Sequence, residues 1–271
     1  MTESIWNGKL LGVIGGGNMA EALVRGVIGA GLVPAPSITV HDIVPARREV
    51  FRDLGCVAVE NPHEATGADI VLLATKPQVV EEALSGVELR RDQALVSIAA
   101  GVPCARLEGL LGAGARVIRV MPNTPLLVGR GMSALAPGAN ATADDMALAM
   151  ALFAGAGDAV EVTEDKLDAV TALSGSGPAY VFAFAEALVA GAETLGLDPE
   201  LAMRLIVGTL RGSAEMLARF GNPAGLREQV TSPGGTTAAA LRVFGERDFS
   251  GIVADALRAA RDRGAELGRG R

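Results

Sequence analysis

Two clusters of small and hydroxylated residues could do chemistry: Ser174-Gly175-Ser176-Gly177-Pro178 and Ser232-Pro233-Gly234-Gly235-Thr236-Thr237, each set immediately before an apolar helical stretch. Small residues at a helix start leave backbone N–H groups accessible at the positive end of the helix dipole. Hydroxyls add further donors, and the combination suits an anion such as a carboxylate. Singly, either cluster reads as a packing turn in which glycine permits close contact or a kink and serine caps. As a pair in one region they point to a shared site for a small acid.

A third cluster near the N-terminus, Gly15-Gly16-Gly17-Asn18-Met19-Ala20, fits GxGxxA, the dinucleotide fingerprint with alanine at its third small position. Gly15 permits the turn, Gly17 lets backbone approach a diphosphate, and Ala20 lets helix and strand pack closely. The context supports the motif: an apolar run precedes it, helical spacing follows, and the next strand ends in Asp42. An acid there favours NAD through the ribose, whereas nearby Arg47 and Arg48 can accept the extra phosphate of NADP, or can simply be solvated helix residues. These residues alone leave the choice open.

Two later strand ends add polar groups on the edge where open α/β sheets bind ligands. Lys76, in ATKP, could hold a charge or dipole near a nicotinamide or could face solvent. Asn123, in MPNTP, could hydrogen-bond a carboxamide or a substrate, or could belong to a proline-fixed loop. The only histidines, His41 and His63, both lie in the first part of the chain. Chemistry that involves the later helices must therefore work without an imidazole acid or base from them. A protonated imine meets that condition, because its carbon accepts hydride directly and its nitrogen already carries a proton. His41 reads as structural or beside a cofactor, and His63 as a surface residue at a helix start.

The elements that must position these groups follow from periodicity. Strand, glycine turn and helix run through LLGVIGGGNMAEALVRGVIGAG, with a β-branched strand in SITVHD, a helix in PARREVFRDLG, and buried strands in DIVLLATKP, ALVSIAAG and RVIRVMPNTP. Helical stretches are expected from Pro77 and Pro103. Thr142 is an expected N-cap with Asp144 and Asp145 in the first turn, and AVEV supplies a closing strand. Strands alternating with helices predict a parallel doubly wound sheet. Beyond Val162 no further strand is expected, and Asp198-Pro199 and Asn222-Pro223 mark helix starts. The reading is an α/β dinucleotide-binding domain over residues 1–162, followed by an all-α domain over 163–271. Its segment 180–192 is apolar nearly all round, which predicts a helix enclosed by neighbours, with a second subunit as one way to cover the apolar face.

Composition sets bounds on the rest. The 271 residues are 49% hydrophobic, and 24 Lys+Arg against 31 Asp+Glu give a net charge of −7, without a basic run and with 3% aromatics; no nucleic-acid partner is expected. No charge-free membrane span is expected, since 180–192 contains Glu186. The N-terminus carries Glu3 and has no basic leader region, so an unprocessed, soluble, cytoplasmic protein is expected. Cys56 and Cys104 stand apart without CxxC spacing, which argues against a metal site and for two small core residues in a reducing compartment.

Taken together, GVIGGGNMAEAL, ATKPQ, SIAAGV, IRVMPNTP, LSGSGPAYVF and VTSPGGTTAAAL resemble the pyrroline-5-carboxylate reductases, in order from Leu10 to the final helix. The resemblance implies an N-terminal Rossmann domain and a C-terminal helical domain interleaved with a partner subunit. It implies hydride transfer from NAD(P)H to the C=N carbon of (S)-1-pyrroline-5-carboxylate, giving L-proline. It further implies that Gly15, Gly17, Asn18 and Met19 contact the cofactor diphosphate, with Asn61, Ala74, Lys76 and Pro77 along the cleft and Ala100 and Gly101 near the nicotinamide. Ser174, Gly175, Ser176, Gly177, Ser232, Gly234, Gly235, Thr236 and Thr237 would form the substrate pocket, the second loop coming from a partner in one arrangement. Thr237 would orient the ring nitrogen, with acid catalysis by its hydroxyl as a hypothesis. Asp42, Arg47 and Asn123 complete the expected cofactor set. NADPH is the expected cofactor on family grounds, with NADH as the other candidate, and a homodimer or a larger assembly such as a decamer is the expected state.

Two other readings differ at particular residues. A hydroxyacid dehydrogenase of the 6-phosphogluconate type needs a lysine on the helix after the glycine-rich turn, whereas Lys166, the helical region's only lysine, precedes Ser174. A nucleotide sensor without turnover would be expected to have degraded SGSGP or SPGGTT, and both are intact.

Overall fold

A computed structural model describes residues 5–268 of the chain, so the reading that rested on Glu3 lies outside the described residues. The chain forms two compact units, one running to Ser176 and resuming at Ala260, the other covering Gly177–Ala259.

The first unit begins with β1 (Leu11–Ile14), α1 (Asn18–Gly29), β2 (Ile38–His41), α2 (Pro45–Asp53), β3 (Val57–Val59), α3 (Pro62–Ala65) and β4 (Ile70–Leu73). It continues with α4 (Val80–Leu84), β5 (Ala94–Ser97), α5 (Cys104–Leu111), β6 (Arg116–Met121), β7 (Gly131–Pro137), α6 (Ala143–Ala154), β8 (Gly157–Glu161) and α7 (Leu167–Val170). The eight strands form one sheet in the order β3-β2-β1-β4-β5-β6-β7-β8. Every pair is parallel except β6 with β7. The winding reverses beside β1, where Ile14 pairs with His41 on one side and Leu73 on the other, and such a switch point opens a crevice at the strand ends.

Alternate residues of the central strands feed two cores. Leu11, Val13, Val40, Leu72 and Val96 pack with α1 and α6 on one face, while Ile14, Val71, Leu73, Leu95 and Val117 pack with α4 and α5 on the other. Burial on both faces explains why these strands read as continuous apolar runs. Thr142 caps α6 as expected, within a reciprocal capping box with Asp145.

Two strands add to those expected. β3 is three residues long, and β7 (GMSALAP) has little β-branched character. The link from β6 to β7 is a 3-10 turn closed by Gly129 in the left-handed region, too short for a parallel crossover, so the chain doubles back antiparallel.

The first unit also extends past the boundary expected at 162/163, to Ser176. Leu167 is fully buried against Ala134 and Ala136. Arg119, itself buried, meets Glu164 at 3.4 Å and Asp168 at 3.6 Å. These contacts hold the first turns of the helical sequence on the sheet.

After Ser176 all described elements are helices: α8 (Gly177–Thr194), α9 (Pro199–Phe220), α10 (Pro223–Gln229), α11 (Thr236–Glu246) and α12 (Phe249–Gly268). Asp198 caps α9 through the N–H groups of Glu200 and Leu201, and Asn222 caps α10 through that of Gly225. α8 packs on α9 yet buries none of its own residues; Phe182 is 64% exposed and Val181 49%. The expectation that 180–192 is enclosed by neighbours therefore fails within one chain, because α9 covers only part of a helix that is apolar all round.

Both thiols are core residues. Burial pushes Cys56 up to about 11, and burial together with the Glu164 carboxylate pushes Cys104 up to about 12. The folded protein is expected to leave both unreactive toward a thiol-specific disulfide reagent at mildly alkaline pH, while denaturant exposes two. Because the folded values lie above the ordinary value of 9.0, the thiols favour folding below pH 9, and this contribution is lost as pH rises toward the folded values. Thiol titration alongside denaturation at rising pH checks both points.

Candidate functional site at the carboxyl edge of the sheet

The glycine turn at the end of β1 is held from both sides. Gly15 donates its N–H to the His41 carbonyl at 2.9 Å, and Ala74 donates to the Ile14 carbonyl at 2.8 Å. Gly15 has φ +100°, and a Cβ there would lie 2.9 Å from the Ala74 backbone, so only glycine fits. Gly16 gives its N–H to Asp42 Oδ2 at 2.7 Å and receives Arg47 Nε on its carbonyl at 2.6 Å. Gly17 differs from both. Its backbone is extended, no atom lies within 4 Å of where its Cβ would stand, and it starts α1 without a side-chain cap. The first N–H groups of α1 thus border open space with the dipole behind them, a cradle that suits a diphosphate and that a side chain at Gly17 would fill. Asn18 is exposed beside it, Met19 is half-buried against the core, and Ala20 is fully buried, as close helix–strand packing requires.

Asp42 and Arg47 serve the turn itself. The second Asp42 oxygen accepts from Val44 N at 2.8 Å, and Arg47 also reaches Glu21 at 2.7 Å. Arg48 is buried and committed to Glu60 and the Asp42 carbonyl. His41 is buried, and desolvation holds its imidazole below the ordinary value despite the neighbouring Asp42, which fits a neutral structural residue.

The remaining first-unit candidates follow the carboxyl ends of β3, β4, β5 and β6. Ala74 and Pro77 are half-buried after β4, and Lys76 between them is exposed. Ala100 and Gly101 form the turn after β5, with Gly101 at φ +76°. Asn61 caps α3 by accepting from His63 N at 3.0 Å, which puts His63 at a surface helix start as expected. Asn123 accepts from Met132 N at 2.8 Å and donates to the carbonyl and hydroxyl oxygens of Ser174 at 3.3 Å each. Its amide therefore joins β6, β7 and the segment bearing Ser174.

That segment corrects the reading of SGSGP as an open helix start. Residues 171–175 form a π-turn between α7 and α8: Ser176 donates back five residues to the Thr171 carbonyl at 2.8 Å, so the N–H groups are committed within the helical run. A Cβ on Gly175 would stand 2.4 Å from Met121 Cε, so glycine lets the turn lie against the end of β6. Such turns recur at functional sites because they re-aim side chains within a helix. The side chains at issue are Ser174 and Ser176.

The second unit carries Gly177, at the start of α8, and the other cluster. Gly235 donates to the Ser232 carbonyl at 3.0 Å, Gly234 sits at φ +70°, and Gly235 is the N-cap of α11 with no side-chain cap. Thr236 and Thr237 open that helix, and Thr237 is half-buried. Here the expectation of an uncapped helix start flanked by hydroxyls holds. Among the described residues no group of three or more His, Cys, Asp or Glu could hold a metal ion.

Glu21, Phe51 and Met121 were not singled out in the sequence. An i, i+4 acid–base spacing linked Glu21 to Arg25, but its contact with Arg47 joins residues 26 apart.

Residues 164–267 match the family model for pyrroline-5-carboxylate reductase dimerisation, and residues 10–101 match that for NADP oxidoreductase, coenzyme F420-dependent. A pyrroline-5-carboxylate reductase of Methanosarcina acetivorans is 39% identical over 264 residues, covering 96% of this chain and 98% of that one. The solved pyrroline-5-carboxylate reductase of Coxiella burnetii is 34% identical with a TM-score of 0.90, covering 96% and 98%. A Plasmodium falciparum pyrroline carboxylate reductase solved with NADP bound is 30% identical with a TM-score of 0.86, over the same shares. By length and composition, Glu164–Thr194 could also cross a membrane: an 18-residue stretch within it has a mean hydropathy of 1.2 and is 6% buried. It falls inside the span matching the dimerisation model.

Proposed function

The chain belongs to the pyrroline-5-carboxylate reductase family, and from that premise we propose which of its residues bind and turn over the substrate. It is an NAD(P)H-dependent reductase acting on the CH–NH group, which converts (S)-1-pyrroline-5-carboxylate to L-proline, and it is a homodimer through its helical region. The bound dinucleotide supplies hydride to the C=N carbon.

Gly15, Gly17, Asn18 and Met19 hold the diphosphate. Asp42 and Arg47 shape the turn from the adenosine side, and Asn61, Ala74, Lys76, Pro77, Ala100 and Gly101 line the remainder of the cofactor site. The α11 start, with Ser232, Gly234, Gly235 and Thr236, binds the substrate carboxylate through backbone N–H groups and hydroxyls. Ser174, Gly175, Ser176 and Gly177 complete the substrate pocket, and Asn123 positions Ser174 rather than touching the nicotinamide. The Thr237 hydroxyl oxygen accepts from the iminium N–H and fixes which face of the imine is presented. No side chain need deliver a proton in the hydride step, because the iminium nitrogen already carries one; this accommodates a helical domain without histidine. Residues 163–271 supply these substrate and dimer functions, the dimers assemble further, as in a decamer, and the protein works in the cytoplasm. On this reading a second copy, not a bilayer, covers the apolar face of α8.

The observation that supports the assignment is the start of α11 at Gly235, Thr236 and Thr237, flanked by hydroxyls and without a side-chain cap, a setting that suits an anion. Purified protein is expected to oxidise both NADPH and NADH when pyrroline-5-carboxylate is added, each followed separately by absorbance. Consumption of neither would overturn the function.

A further inference from the structure

Of the two arginines in the first turn of α2, Arg48 is buried and spoken for, so Arg47 is the cation that can meet a phosphate on the adenosine ribose. Its side chain is 26% exposed and is held at three points: Nε on the Gly16 carbonyl at 2.6 Å, the guanidinium 5.9 Å above the Phe51 ring centre, and Nη2 on Glu21 at 2.7 Å. The first two contacts are neutral and fix position. The third sets a carboxylate against the cation. Both oxygens of Glu21 are engaged by arginines, Oε1 by Arg25 at 2.9 Å and Oε2 by Arg47. Burial tends to raise its pKa, but the Arg47 and Arg25 contacts outweigh this and leave it lowered, so Glu21 is anionic at neutral pH. On the other side of Gly16 lies the Asp42 carboxylate. A ribose hydroxyl can share that setting, whereas a phosphate dianion would meet two carboxylates, with Arg47 turned toward Glu21 and Arg25 on that residue's other oxygen.

We propose that Glu21 is a specificity-determining residue that lowers the preference of this reductase for NADPH over NADH by partly offsetting the charge of Arg47 and holding its Nη2. The inference rests on the reductase reading and deepens it. Replacing Glu21 with glutamine removes the charge and keeps the shape, while Gly16 and Phe51 still hold the guanidinium over the turn.

The test is calorimetric binding of NADP+ and NAD+ to the full chain, with adenosine 2′,5′-bisphosphate and AMP as fragment probes. Glu21→Gln and Glu21→Ser are both made, so that the result does not depend on one variant folding. The affinity ratio of NADP+ to NAD+ is expected to rise about two- to fivefold in either variant, the range of a partly exposed charge pair. The rise should vanish when Arg47→Gln is added. An unchanged ratio in Glu21→Gln, or a rise that survives in the double variant, overturns the proposal. If the wild-type protein still reduces pyrroline-5-carboxylate in that case, the family reading stands and only the role of Glu21 falls.

Discussion

Gly17→Val is expected to weaken NADP+ and NAD+ binding by about 100-fold or more, roughly 2.7 kcal/mol, while the protein still folds. The backbone at Gly17 has φ −68° and ψ 177°, open to any residue, and no protein atom stands within 4 Å of the added Cβ. Folding should lose only what a poor N-cap residue costs, about 0.5–1 kcal/mol. The valine methyls would occupy the space from which a diphosphate reaches the first N–H groups of α1. Gly15→Val is the contrast, because its φ of +100° and the Ala74 backbone at 2.9 Å make the substitution a folding defect. Calorimetric binding beside thermal melting separates the two. A Gly17→Val protein that binds either dinucleotide with unchanged affinity would remove α1 from the cofactor site.

Thr237→Val is expected to lower kcat by about 10²- to 10³-fold, the range for losing one positioned hydrogen-bonding group in the transition state. Valine keeps the volume and branching, and Thr237 is not the capping residue, so α11 should form as before. The N–H groups assigned to the carboxylate belong to the backbone and survive the substitution. KM should therefore move much less than kcat, the pattern of an interaction made mainly in the transition state. Turnover at the wild-type rate would take Thr237 out of the chemistry, whatever happened to stability.

Much of the first unit was legible because its signals are local. Gly15, Gly17 and Ala20 declare a turn, the runs ending at Ile14 and Leu73 declare strands buried on two faces, and Thr142 declares a helix start, as Asp198 does in the second unit. The losses have equally definite causes. β7 is an antiparallel insertion whose alanine-rich sequence carries little strand propensity, and its place between β6 and β8 follows from a short return link. Ser174-Gly175-Ser176 has the composition of a loop, but Met121 and Asn123 hold it as a π-turn in a helical run. The engagement of Asp42 and Arg47 with Gly16 joins residues 26 and 31 apart, which no local pattern encodes. The site residues, by contrast, were named largely through resemblance, since glycine and serine clusters look alike whether they bind a ligand or pack a helix.

That α8 buries none of its residues within one chain reaches beyond the interface. An all-round apolar helix is stable only where something covers it, so the folding of this half is in part a bimolecular event. Its melting temperature then belongs to a chosen protein concentration rather than to the sequence alone. The cell's expression level becomes a thermodynamic variable of the enzyme: two chains must meet before its helical half is secure.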